Sequence, residues 1–194
     1  ITAQTRDVAP LAWVFGGVGP YESLIKTVLD YAGSQWTSSA KIKIATVGWN
    51  VAGQMDRSRG AKEYCAAHPD KFEFVAEALS PSGTTTWTGE IEMVKNCDYL
   101  VMCGVGSVAI TFLSQFRGKG YNQKILGEYS MWAYQSAMLA AVGKEKMDKS
   151  WYTNVYGGEW DAPGWEKLMQ DITLEYEADA STLIADWGNA YSVG

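Results

Sequence analysis

The sequence predicts an α/β fold: a doubly wound, mostly parallel sheet of about five strands with helices on both faces. Three observations lead there. Short β-rich runs alternate with longer stretches of helical spacing, the order that right-handed crossovers turn into a parallel sheet. The run Tyr99-Leu100-Val101-Met102-Cys103 is apolar throughout, as expected of a strand covered on both sides. The 194 residues are enough for one well-packed domain and few for two.

Taken in order, the Gly-rich stretch Phe15 to Gly19 reads as a turn or hinge, followed by a helix from Tyr21 to Tyr31. Leu24, Ile25, Val28 and Leu29 fall on one stripe of that helix at three- and four-residue spacing. Lys41 to Val47 alternates and then becomes continuously apolar, a first strand, and Gly53 to Ala67 is the helix that follows it. Phe72 to Ala76 is a second strand. Thr84 to Lys95 reads as a helix, with a Ser-Gly-Thr-Thr cluster suited to capping and Ile91 and Val94 on a shared face. The third strand, Asp98 to Cys103, leads to a helix from Val108 to Phe116. Lys124 to Gly127 is a fourth strand and Met131 to Val142 its helix; Trp151 to Val155 is a fifth, followed by a helix from Pro163 to Tyr176. No internal repeat or linker interrupts this order.

Composition narrows the function. Sixteen Lys and Arg against 22 Asp and Glu give a net charge of −6 and exclude a basic face for nucleic acid. No apolar run approaches the ~20 residues of a membrane span, and no signal peptide is visible. The chain opens at Ile1 without Met, so an earlier segment is expected. Cys65, Cys97 and Cys103 are odd in number and lack CxxC spacing, so they signal neither zinc nor a disulfide framework. A Cys65–Cys97 bridge is possible but has no support, and Cys103 reads as a small buried hydrophobe.

Doubly wound sheets bind ligands beyond the carboxyl ends of their strands. Three loops qualify: Gly48-Trp49-Asn50-Val51-Ala52, Gly104-Val105-Gly106-Ser107 and Glu128-Tyr129-Ser130-Met131-Trp132. Trp49, Tyr129 and Trp132 put large aromatics where a surface loop is usually polar, and an aromatic there offers a stacking face. Glu128 follows a strand directly and reads either as facing a ligand cation or as a helix cap. Gly104-Val105-Gly106 lacks the third glycine of a dinucleotide fingerprint, since Ala109 stands there, and reads as a tight turn before a helix. Gly16-Gly17-Val18-Gly19 fails similarly, and no phosphate-binding GxxxxGK[ST] loop exists. His68 is the only histidine and precedes Pro69, a helix-ending surface position, so no triad or multi-histidine metal site is signalled. The acidic residues Glu90/Glu92 and Glu175/Glu177/Asp179 read as solvated helix faces. Trp13, Trp36, Trp151 and Trp187 read as packing residues. No catalytic residue, metal ligand or cofactor is assigned.

Several stretches then resemble one family. Lys41-Ile-Lys-Ile-Ala-Thr-Val-Gly-Trp-Asn50 with Gly53-Gln54 opening a helix, Gly83 to Lys95, Asn96 to Val101 running into Gly104-Val-Gly-Ser107, and Phe112 to Gly120 follow in order. Trp160-Asp161-Ala162-Pro163 and Trp187-Gly188-Asn189-Ala190-Tyr191 complete them. Together they resemble the second lobe of type I periplasmic binding proteins, the receptors of branched-chain amino-acid-type ABC importers. The resemblance implies one α/β lobe over 1–194, with crossover segments at about 1–20 and 180–194 and the partner lobe outside this chain. It implies a periplasmic or extracellular, non-enzymatic protein that closes by hinge motion on a small-molecule solute and meets a membrane ABC permease. Ligand contacts map to Trp49, Asn50, Val51, Ala52, Val105, Gly106, Ser107, Glu128, Tyr129 and Trp132. Amino-acid binders of the family commonly carry a carboxylate at the third loop, where Tyr129 aligns, so an apolar or aromatic solute is expected unless Glu128 takes that part. Alternatives are an amino-acid or amide binder, a nucleotide- or flavin-using enzyme of the same sheet type, and a response-regulator-like interaction domain.

Overall fold

A computed structural model describes residues 20–132, 134–147 and 151–153. The described elements run α1 (Tyr21–Ser34), β1 (Ile42–Trp49), α2 (Ala52–Ala67), β2 (Phe72–Ser80), α3 (Thr88–Val94) and β3 (Tyr99–Met102). They continue with α4 (Ser107–Gly118), β4 (Lys124–Gly127), α5 (Tyr129–Trp132), α6 (Gln135–Val142), α7 (Lys144–Met147) and β5 (Trp151–Thr153). All belong to a unit running from Ile1 to Val155. The Gly-rich stretch Phe15 to Gly19, Trp13, the helix expected at 163–176, the acidic Glu175/Glu177/Asp179, and the Trp160–Pro163 and Trp187–Tyr191 motifs lie outside the described residues.

The five strands form one sheet in the order β2-β1-β3-β4-β5, with every neighbouring pair parallel. This is the doubly wound arrangement read from the alternation of runs. Side-chain alternation along each strand divides the core in two. Ala45 and Val47 of β1, Leu100 and Met102 of β3 and Ile125 of β4 join Trp87, Ile91, Phe112 and Phe116 on the side of α3 and α4. Ile42, Ile44, Tyr99, Val101, Cys103 and Leu126 join Ile25, Leu29 and Ala61 on the side of α1 and α2. The four residues of β3 are buried throughout, because helices cover both faces.

Three differences from the sequence reading go beyond a shift of one to three residues at an element's end. β2 continues to Ser80 through Glu77, a charged residue just past the Ala76 end that the sequence predicts. Its carboxylate stays in the strand because Lys62 Nζ and Ser58 Oγ donate to it at 2.5 and 2.6 Å. The helix expected from Thr84 starts at Thr88 instead. Gln115 of α4 pairs with the preceding segment, accepting from Trp87 N–H at 2.9 Å and donating to Thr85 O at 2.7 Å. The Trp87 indole is fully buried and donates to Thr111 Oγ1 at 2.9 Å. The single helix expected at 131–142 is two, α5 and α6, separated at Tyr134, whose φ of −104° and ψ of 9° leave the helical basin.

The cysteines are all free and buried, so the Cys65–Cys97 bridge does not form. Burial pushes each thiol up to about 12, which keeps all three protonated at neutral pH. His68 ends α2 as expected: its backbone N–H bonds Tyr64 O and Cys65 O, and its Nδ1 lies 2.9 Å from Tyr64 O.

Candidate functional site at the carboxyl edge of the sheet

β1 continues into α2 on one face, whereas β3 leads into α4 on the other, so the strand order reverses between β1 and β3. A crevice opens at such a reversal. The Trp49–Ala52 and Val105–Ser107 loops flank it, and the loop after β4 lies one strand further along. All three candidate segments therefore share one edge.

Gln54 wedges into the reversal. Its Oε1 accepts from Trp49 N–H at 2.5 Å. A Cβ placed on Gly48 or Gly104 would come within 2.6 or 2.8 Å of that oxygen, so both glycines leave the room it needs. A Cβ on Gly104 would also stand 2.6 Å from Val108 Cβ, inside any tolerable contact. The tight turn expected there is therefore a close approach of β3, α4 and the Gln54 amide. Gly106 completes it with φ 58° and ψ −125°, a conformation open in practice only to glycine.

Trp49 is part-buried against the α3–α4 side of the core, and its indole N–H donates to Thr84 O at 2.9 Å. Asn50 is exposed, its N–H bonded to Ser80 O at 2.7 Å. Val51 and Ala52 are exposed at the start of α2, and Met55, one turn on, is exposed beside them. Val105 is part-buried against the core, and Ser107 opens α4 in an exposed position. Tyr129 and Trp132 open and close α5, and their side chains lie outside the described residues.

Glu128 is fully buried at this edge, and its carboxylate takes Arg57 Nε at 2.9 Å and Nη2 at 2.5 Å. Ser130 adds its backbone N–H at 2.9 Å and its hydroxyl, so the capping alternative is the one realised. Arg57 is equally enclosed, with its Nη1 on Gly53 O at 3.1 Å and its Cζ 3.6 Å over the Tyr21 ring centroid. Two strands away, on β1, Thr46 Oγ1 lies 2.8 Å from Ser58 Oγ of α2, and Ser58 passes a bond to Glu77. Burial alone would raise Glu77, but the bonds from Lys62 and Ser58 outweigh it and hold its carboxyl below the ordinary glutamate value. A buried polar layer thus lies beneath the loops. Gln54, Arg57 and Tyr134 are the residues that reading the sequence missed here. Only the glycines at 48 and 104 hint at the wedge.

Solved structures with this architecture were found at low sequence identity. A branched-chain amino acid ABC transporter protein from Rhodospirillum rubrum is 16% identical over 98% of this chain and 53% of its own, with a TM-score of 0.70. This is the fold of one lobe of a type I periplasmic binding protein. A second type I protein, a branched chain amino acid ABC transporter protein from Thermus thermophilus with bound valine, matches at 16% identity. It covers 93% of this chain and 46% of its own, at a TM-score of 0.69. A third, a solute-binding protein of an ABC transporter from R. palustris in complex with benzoate, is 15% identical over 85% of this chain and 44% of its own, at 0.65. The chain spans about half the length of these type I structures. No protein-family model and no curated protein matches the sequence.

Proposed function

We propose that this chain is the ligand-binding lobe of an extracytoplasmic solute-binding component of an ABC importer, closing with a second lobe over a small molecule. The reading is non-enzymatic. The observation that supports it is that the three loops share the carboxyl edge of the sheet, two of them at the strand-order reversal, in a chain that matches half of each two-lobed type I structure. The proposed contact set is Trp49, Asn50, Val51, Ala52, Val105, Gly106, Ser107, Tyr129 and Trp132, with Glu128 supporting the third loop from behind. The solute is proposed to be apolar or aromatic. With Glu128 bound to Arg57, a buried ammonium would gain no countercharge from this residue, at a cost of several kcal/mol.

Thermal unfolding and calorimetry with benzoate, octanoate, valine and isoleucine test this, on the chain alone and joined to a complementary lobe. A ligand at a hundred times its Kd stabilises the folded state by ~2.7 kcal/mol, so binding raises the melting temperature. The expected order is benzoate or octanoate above the amino acids, and weaker binding by the lone lobe, which encloses less of the ligand. No stabilisation of either protein by any of the four sinks the reading.

A further inference from the structure

Six large apolar side chains are substantially exposed among the described residues: Tyr31, Val51, Met55, Val75, Met93 and Tyr134. Tyr31, Val75 and Met93 stand singly on α1, β2 and α3. The other three share the carboxyl edge of the sheet. Tyr134 is the largest of these, 44% exposed, and its backbone is fixed on both sides. Its N–H bonds Met131 O at 3.2 Å, and its carbonyl accepts Met138 N–H at 3.0 Å. The ring faces the β3–α4 turn, where a Cβ built on Gly106 would touch its Cε1 and Cδ1 at 3.5 and 3.7 Å. Its hydroxyl makes no hydrogen bond to any described residue.

A tyrosine with a fixed backbone, a half-exposed ring and a hydroxyl that bonds no described residue has the amphipathic form that binding surfaces favour. From its place at the Gly106 turn, we propose that Tyr134 is a ligand-contacting residue: its ring supports the apolar body of the solute, and its hydroxyl donates to an oxygen acceptor on it. The ligand class is an apolar molecule carrying at least one carboxylate or carbonyl oxygen. Met55 and Val51 extend the apolar rim across the reversal on the α2 side. The proposal rests on the solute-binding reading and adds a residue and a polar handle to it.

The test uses the full chain labelled with 3-fluorotyrosine, with the Tyr134 fluorine line assigned by its loss in Tyr134→Phe. Benzoate and octanoate are titrated separately, with heats measured in parallel. The expected result is a saturable shift of that line by either probe. Tyr134→Phe, losing one hydrogen bond, weakens binding by roughly three- to tenfold, and Tyr134→Ala, losing the ring as well, by more. A probe that binds by calorimetry yet leaves the line unmoved and both variants at wild-type affinity overturns the assignment and spares the functional reading. Binding of valine with neither probe overturns the ligand class alone. Absence of binding of all three, by the chain alone and by the chain joined to a complementary lobe, overturns this inference together with the reading it rests on.

Discussion

Arg57 and Glu128 decide how the third loop is anchored, and their pairing makes a sharp mutational forecast. Both side chains are almost wholly enclosed, so removing one leaves the other's charge desolvated. Arg57→Met is expected to destabilise the protein by about 3–5 kcal/mol in urea denaturation. Adding Glu128→Gln should restore most of that loss, because the amide carries no charge yet still offers an oxygen to Ser130. A double variant no more stable than Arg57→Met would show that the guanidinium acts by packing on Tyr21 rather than by charge. Glu77 makes a pH-dependent contribution of known sign. Its folded-state carboxyl is held below the ordinary value, so its stabilisation is complete above the unfolded glutamate range and fades as pH falls through the lower folded value. Glu77→Gln should therefore cost on the order of 1 kcal/mol near neutrality, with the deficit vanishing in acid. Denaturation curves of both proteins across pH check this. A deficit that stays constant with pH would rule out the charge as its source.

At the scale of elements, apolar burial was legible and polar burial was not. The stripe of Leu24, Ile25, Val28 and Leu29 on α1 and the unbroken β3 announce their partners, because hydrophobic periodicity reports which face is covered. α2 was legible as a helix but not in its orientation. Its covered face is Asp56, Arg57, Ser58, Gly60, Ala61 and Cys65, and a rule that sends charge to solvent turns that face outward. The same blindness shortened β2 at Glu77 and left Glu128 with two readings. The three loops were legible because sheet topology alone places them; Gln54 and Tyr134 were missed because a contact across the reversal has no sequence spacing. Gly104 gives this element-level wedge its test. Gly104→Ala drives a methyl into Val108 and the Gln54 oxygen and is expected to cost about 1–3 kcal/mol in chemical denaturation, with the β3–α4 turn displaced. Unchanged stability would mean that α4 shifts freely to admit it.

For the molecule as a whole, the sheet has an outer strand, β2, and that strand is guarded. The register with β1 jumps from Ile44↔Phe74 to Ala45↔Ala76, so Val75 is an extra residue that kinks the border and discourages another chain from pairing there. The polar layer has a further consequence. Oily surfaces let a helix creep by fractions of a turn, whereas a guanidinium fork and a carboxylate fit together in one way or not at all. α2 is keyed to the base of the third loop by Arg57 on Glu128, and to β2 by Ser58 and Lys62 on Glu77. The start of α2 and the third loop thus travel as a single casting, and any gape or bite between them must come from whole-body rotation. Amide exchange should show the protected hydrogens of α2 and of the Glu128–Ser130 segment opening together, with one common free energy; two separate openings would mean the casting is cracked.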